Sequence, residues 1–274
     1  MNLEKLKSFV SSDLYRAKDP LVSRINKHLV KEYNPPASTS SRPSHSPSSI
    51  GTKCYRKIYY QFFKLDKDIP VDARGAKIFE SGKQHEEMVM TWLKALGEHI
   101  PYTDPESGLV PMDRDGVTPN PQFPIKSPEW RINKGFIDNV GIIDGKLWLY
   151  EIKSSNSNKF QSLEAVMPEH KDQVSIYLKT FNELLKAGEF SHIPELKPFE
   201  EVVGVKVLYI NKDNSDIKVF SLRKNHLQAN IWKLKSKIER ANKYIDEKQL
   251  PPKTPDKCEY CPFKTKCSKS FNVV

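Results

Sequence analysis

The pair Asp144-Gly145 sits in the middle of the run Gly135-Phe-Ile-Asp138-Asn-Val-Gly-Ile-Ile-Asp144-Gly145-Lys-Leu-Trp-Leu-Tyr-Glu151-Ile-Lys153 and constrains this chain more than any other feature. An Asp-Gly pair between apolar runs suits a type I′ hairpin turn, which needs positive φ at both central positions. Such a turn makes Ile143 face Lys146, and counting outward sets Asp138 opposite Glu151. Facing residues have Cβ atoms roughly 4.5–5.5 Å apart, and like charges so placed destabilise a hairpin. A positive partner is therefore expected between the two acids. A hard divalent cation with oxygen ligands meets that need, and Mg²⁺ is the usual choice beside phosphates. Side chains alternate faces with period two, so Lys153 shares the face of Glu151. Its ammonium would orient a water or offset charge on a phosphorus transition state. Phe136, Val140, Ile142, Leu147 and Leu149 are expected to complete that face as an apolar wall.

Cysteine usage adds a second constraint. The chain has four cysteines, Cys54, Cys258, Cys261 and Cys267, too few in 274 residues for a disulfide scaffold. Three of them form C-x2-C-x5-C, a spacing that lets thiolates converge on one metal site. The fourth thiolate would come from Cys54, some two hundred residues upstream, so the site would pin both ends of a domain together. Spacing leaves tetrahedral zinc and a [4Fe–4S] cluster equally open.

Lys and Arg number 44 against 34 acidic residues, a balance of +10. A basic surface favours a polyanion such as nucleic acid. No apolar run is long enough to span a bilayer and no secretory segment opens the sequence, so a soluble, cytoplasmic protein without a membrane partner is expected. No G-x-x-x-x-G-K-[ST] loop is present, which excludes a P-loop motor.

Apolar residues at mixed spacings of three and four predict helix over residues 1–33, broken at Asp19-Pro20. Seven serines between Ser38 and Ser49 mark a loop. Ser46-Pro47 reads as an N-cap with proline at the first helical position, opening a helix that carries Cys54, Arg56, Lys57, Tyr59, Tyr60 and Phe63. Further helices are predicted over about 72–96, 168–187 and 227–249. Strands are predicted over 201–210 and 217–222, and residues 101–128 read as loop with one edge strand. On the helix over 168–187 Gln173 and Tyr177 lie one turn apart on one face. The order helix, hairpin, helix, strands, helix argues for a mixed α/β core.

Gly82-x2-His85, Gly135-Phe-Ile-Asp138, Glu151-Ile-Lys153 and Gln173-x3-Tyr177 together resemble the ordered motifs of the PD-(D/E)xK nuclease superfamily, RecB-like branch. With Cys54 ahead of them and Cys258, Cys261 and Cys267 behind, the set resembles the iron–sulfur subgroup. That subgroup comprises the CRISPR-associated RecB-like exonucleases and the AddB nuclease domain. Ser46 to Lys57 is similar to the opening helix of that group, although the proline common after the cysteine is missing at Tyr55.

The resemblance implies a restriction-endonuclease-like core, a mixed central sheet flanked by helices. A helical N-terminal extension with a Ser/Pro-rich loop would occupy residues 1–45, the nuclease domain 46–267, and a tail 268–274. It implies that His85, Asp138, Glu151 and the backbone carbonyl of Ile152 bind Mg²⁺ or Mn²⁺. Lys153 would position the attacking water, and Gln173 and Tyr177 would orient the lysine or touch the phosphate backbone. The four cysteines would hold a structural [4Fe–4S] cluster. Arg56, Lys57 and Arg74 are candidate DNA contacts, while Glu86 and Glu87 are expected in solvent or behind the metal ligands. The activity implied is an exonuclease on single-stranded DNA, commonly 5′ to 3′, in recombination, repair or phage DNA processing, as a homo-oligomer or with partner proteins. A non-catalytic DNA-binding subunit with a zinc knot and a site-specific endonuclease are the rival readings.

Overall fold

The computed structural model of the protein describes residues 20–34, 42–113, 116–254, 256 and 258–269. The helix expected over residues 1–19 and residues 35–41 of the serine-rich loop lie outside these. Helix α1 (Pro20–Tyr33) is followed by α2 (Pro47–Ile50), α3 (Tyr55–Phe62) and the long α4 (Ala73–Ala95). Strands β1 (Phe123–Ser127) and β2 (Ile132–Ile137) form a two-stranded antiparallel ribbon. Strands β3 (Asn139–Ile143), β4 (Lys146–Ser155), β5 (Gly204–Asn211) and β6 (Ile217–Arg223) form a sheet in that order. Between β4 and β5 run α5 (Ser157–Gln161) and α6 (Pro168–Lys186); α7 (Lys224–Asp246) and α8 (Lys264–Lys269) close the described chain.

The β3–β4 hairpin turns at Asp144-Gly145, with φ of 50° and 70°, and Ile143 faces Lys146. β4 and β5 pair parallel, which requires the helical crossover through α6, and the outer pairs are antiparallel. The sheet is therefore mixed and flanked by helices, consistent with a restriction-endonuclease-like core. Alternation along β4 assigns its two faces. Leu147 and Leu149 pack with Val207 and Tyr209 against Val174, Tyr177, Leu178 and Phe181 of α6. Trp148, Tyr150 and Ile152 pack with Leu208 and Ile210 against Val89 and Leu93 of α4. Each such fully buried side chain contributes about 1.5–3 kcal/mol, so both helices are fastened to the strand that carries Glu151 and Lys153.

Val140, Ile142, Leu147 and Leu149 join that core as expected, but Phe136 does not. It lies in β2 and faces Pro124 of β1, with the Lys134 ammonium over its ring at 4.7 Å. The chain bends at Asp138, between β2 and β3, and transfers from ribbon to sheet there. Gly135 is needed on the ribbon because a Cβ would lie 2.9 Å from Pro47 Cγ and 3.1 Å from Ile125 Cγ1.

The single helix expected from Ser46 onward is two helices. Asp256 accepts from Thr52 Oγ1 at 2.6 Å and from Lys53 N at 2.9 Å, holding the linker open, and Cys54 becomes the N-cap of α3. Asp72 caps α4 through Gly75 N at 2.7 Å. Helix α1 docks beside it: Tyr33 OH donates to Glu80, and Asn34 exchanges two hydrogen bonds with the Val71 backbone. Among the described residues no helix is long and apolar enough to cross a membrane.

Candidate active site

Asp138, Glu151 and Lys153 meet at the corner where the ribbon joins the sheet. Asp138 stands at the bend, one residue before the outermost pair of the hairpin, Asn139 with Tyr150. Its Oδ2 accepts from Ile152 N at 2.8 Å, which latches the bend onto β4. Glu151 is fully buried and Lys153 Nζ makes an ion pair with its Oε1. Among the described residues Lys153 is the one partner of the Glu151 carboxylate, and Glu151 Oε2 accepts no hydrogen bond. A buried carboxylate left this way is costly unless a positive group completes it.

Glu86 also reaches this corner. Its Oε1 accepts from Gln122 Nε2 at 3.0 Å, and the same nitrogen lies 3.4 Å from Asp138 Oδ1. Burial, then the Asp138 charge, push the Glu86 carboxyl up to about 8 from its ordinary 4.5, against the pull of Lys153. Burial and Asp138 push Glu151 to about 8 as well, again opposed by Lys153. Asp138 is raised by burial, with Lys153 and the Ile152 N–H opposing. Burial alone would lower the Lys153 pKa, but the charges of Glu151 and Asp138 outweigh it and raise it, so the amine stays protonated at neutral pH. Of the two places expected for Glu86, solvent or behind the metal ligands, its burial beside Asp138 agrees with the second. Glu87 is exposed, and both line a cleft of about 450 Å³ that also takes in Asp138, Gln122 and the loop from Thr118. The signal for Glu86 is its helical phase: it falls in register with the buried Val89 and Leu93 at spacings of three and seven.

On the face of β4 that carries Glu151 and packs against α6, Gln173 Nε2 donates to Tyr177 OH at 2.8 Å, and both residues are buried. Burial, together with the charges of Glu151 and Asp138, keeps the Tyr177 hydroxyl protonated. The phenol accepts from Gln173, so its own proton is free to be donated toward the acids. Tyr209, the register neighbour of Lys153 on β5, accepts from Met167 N at 3.1 Å and shares a hydrogen bond of 2.8 Å with His170 Nδ1.

His85 Nδ1 donates to the Ser81 carbonyl at 2.6 Å, which leaves Nε2 as the ring nitrogen that could bind a metal. Among the described residues no hydrogen bond joins it to the two acids. Arg56 is a correction: it is buried at 7 % exposure and donates to the Pro251 carbonyl at 2.9 Å and to Cys267, so it braces the chain's interior and not a DNA strand. Arg74 is exposed in the first turn of α4. Lys57 lines a cavity of about 40 Å³ together with Cys54, Cys258, Cys261 and Cys267, all free thiols.

Among the described residues no three His, Cys, Asp or Glu side chains are placed to hold one metal ion as they stand. The corner nonetheless fits Mg²⁺, which is commonly bound through one or two carboxylates with water filling its other positions. The unpartnered Glu151 Oε2 and the latched Asp138 are donors of that kind.

The raised pKa values give a signed expectation. The folded, metal-free protein keeps protons on Glu86 and Glu151 that the unfolded chain releases above about 4.5, so its stability falls as pH rises from there to about 8. A cation competes with those protons, so stabilisation by Mn²⁺ should grow over the same window. Thermal melts from pH 5 to 9, with and without Mn²⁺, measure both slopes. Glu151→Gln should flatten them, and equal slopes in the variant would show that other groups titrate.

Residues 83–268 match the family described as the PD-(D/E)XK nuclease superfamily. No curated protein matches the chain. Among solved structures, the chain is similar to the crystal structure of SSO0001, with a TM-score of 0.48, 16 % identity and coverage of 89 % of this chain and 95 % of that one. It is also similar to a protein from Eubacterium rectale described as a "Putative exonuclease", with a TM-score of 0.46, 14 % identity and coverage of 85 % and 90 %.

Proposed function

The chain belongs to the PD-(D/E)XK nuclease superfamily, and from that membership we propose that it is a divalent-metal-dependent exonuclease acting on single-stranded DNA. The observation that carries this reading is the buried corner of Asp138, Glu151 and Lys153. Asp138 and Glu151, with the Ile152 carbonyl and His85, are the ligands we assign to Mg²⁺ or Mn²⁺. A cation there supplies a water of lowered pKa and offsets charge on the non-bridging phosphate oxygens.

The remaining work falls to the chain itself. Lys153, held protonated by its acidic neighbours, cannot serve as the base. It donates to the attacking water and to a phosphate oxygen, and its fixed charge acts in a site with little water to screen it. Tyr177, oriented by Gln173, offers a neutral hydroxyl proton on the same side. In-line attack by water expels the 3′ oxygen and leaves a 5′-phosphate end. The Gln122 amide, between Glu86 and Asp138, fixes the loop that roofs the cleft.

For the cysteines we propose a structural [4Fe–4S] cluster, with zinc as the alternative. All four line one cavity, and Arg56, Lys57, Lys253 and Lys264 around it favour thiolates. Residues 46–267 would then be one nuclease unit closed by that group. Recombination, repair or phage DNA processing in the cytoplasm, as a homo-oligomer or with partners, is the setting this chemistry suits.

End-labelled single- and double-stranded DNA incubated with Mg²⁺ or Mn²⁺ tests the reading. Progressive shortening of the single strand from one end, with 5′-phosphate products, is expected. Metal-independent products, or none with either cation, would overturn it, and internal cuts in closed circular DNA would replace exonuclease with endonuclease.

A further inference from the structure

A cleft of about 730 Å³ lies away from the acidic corner, between the first turn of α6, α7 and the α2–α3 linker. Lys171 on α6, Lys233, Lys237 and Arg240 on α7, and Lys53 on the linker set five cations around it, against the carboxylate of Asp172. Asp172 is itself buried and accepts from Asn230 Nδ2 at 3.0 Å. Among the described residues no ion pair involves any of the five. By contrast Lys235, on the same helix, pairs with Glu129 at 3.2 Å. Burial and the neighbouring Lys233 hold the Lys237 pKa below its usual value despite Asp172, so an incoming anion would relieve a cation the fold leaves short of counter-charge.

Aromatic rings accompany the charges. Tyr55 lines the cleft, and Trp232, 67 % exposed, precedes Lys233 on α7. Cations that follow a backbone, with aromatic faces for stacking, are what single-stranded nucleic acid binds. The cleft's size is that of a small-molecule site, about 300–1,000 Å³, which admits a stretch of one strand and no duplex. Lys171 and Tyr177 sit six residues apart on α6, about 9 Å along the helix axis. The cleft thus begins at the α6 end where His170 and Met167 bond Tyr209 beside Lys153. Glu169 shares that turn, so the strand would pass it on the side of Pro168 and Lys171.

We propose that this cleft is a holding site for the single strand beyond the scissile phosphate, so that the strand rounds the N-terminal end of α6 between catalytic corner and cleft. This rests on the nuclease reading for its purpose but not for its test. The full chain, kept in chelator so that nothing is cut, is titrated into fluorescently labelled oligothymidylate and followed by anisotropy. The triple variant Lys233→Ala, Lys237→Ala, Arg240→Ala should bind ~10–100-fold more weakly, and its log-affinity against log-salt slope should fall by about 2, at ~0.7 per lost phosphate contact. The pair Lys53→Ala, Lys171→Ala, on the opposite wall, should act in the same direction and guards against a folding defect in α7. Unchanged affinity and slope in both variants would sink the proposal, as would a duplex bound as tightly and weakened as much. A wild type that binds as described yet hydrolyses nothing with Mn²⁺ would instead sink the nuclease reading and leave the cleft standing.

Discussion

Lys153→Ala is expected to lower the rate of DNA hydrolysis by ~10³-fold or more, with the protein still folded. The side chain is 27 % exposed and its ammonium touches the buried Glu151, so it reaches the cleft while being held from below. Removing it takes away a cation that opposes the raised pKa values of Asp138, Glu151 and Glu86 alike. Breaking a buried pair costs roughly 3–5 kcal/mol when the remaining charge persists. A carboxylate at this position takes up a proton instead, which caps the loss, and circular dichroism should report a folded variant.

The same proton uptake creates a rival explanation, because protonated acids hold a cation poorly. The decisive assay therefore runs the variant at pH 9 with saturating Mn²⁺. A rate that stays down places Lys153 in the reaction. Recovery to the wild-type rate would assign it to metal retention alone, and an unchanged rate at pH 7 would remove it from both. Lys153→Arg restores the charge but not the compact ammonium geometry, so partial activity is expected from it.

What could be read from the chain followed from how local the information was. The Asp144-Gly145 turn sets its own φ angles, and once it is fixed the register of β3 and β4 follows by counting. Asp72 at the start of α4 and Pro168 at the start of α6 are likewise signals that act within one turn. Gln173 and Tyr177 needed only the helical repeat to be placed together. The errors lie where partners are distant in sequence. Asp256 opens the α2–α3 linker from two hundred residues away, so Ser46 to Phe63 read as one helix. Arg56 looked like a surface cation because its acceptors, Pro251 and Cys267, come from the far end of the chain. Phe136 obeyed strand alternation but belonged to another ribbon, since nothing local announces the bend at Asp138. Glu86 was legible in principle as a carboxylate on the buried stripe of α4. That it faces Asp138 depends on Gln122 and on how α4 crosses β4.

Cys261→Ser should produce the largest change in stability. The segment from Pro251 to Lys269 packs little of its own apolar surface: Phe263 is buried beside Tyr60, with ring centroids 5.3 Å apart, and Pro251 is covered. Otherwise polar ties hold it, including Asp68 N to the Pro262 carbonyl at 2.8 Å, Asp256 to the α2–α3 linker, and Arg56 to Pro251. Each net hydrogen bond of that kind contributes only about 0.5–1.5 kcal/mol. Linking Cys54 to the C-terminal trio closes a loop of about two hundred residues, and the loop-entropy relation puts the constraint on the unfolded chain at about 5 kcal/mol. A group bound by the four thiolates is bound by the folded chain alone, so its binding energy adds to folding. Losing one ligand should therefore lower the melting temperature by ~10 °C or more for a domain of this size and remove stoichiometric metal from the purified protein. Iron and acid-labile sulfide, with a brown colour in the wild type, identify an iron–sulfur cluster, and one zinc without colour identifies the alternative. A wild type that carries neither, with Cys261→Ser melting at the same temperature, would show that the cysteines share a cavity without sharing a ligand and that the polar ties alone close the domain.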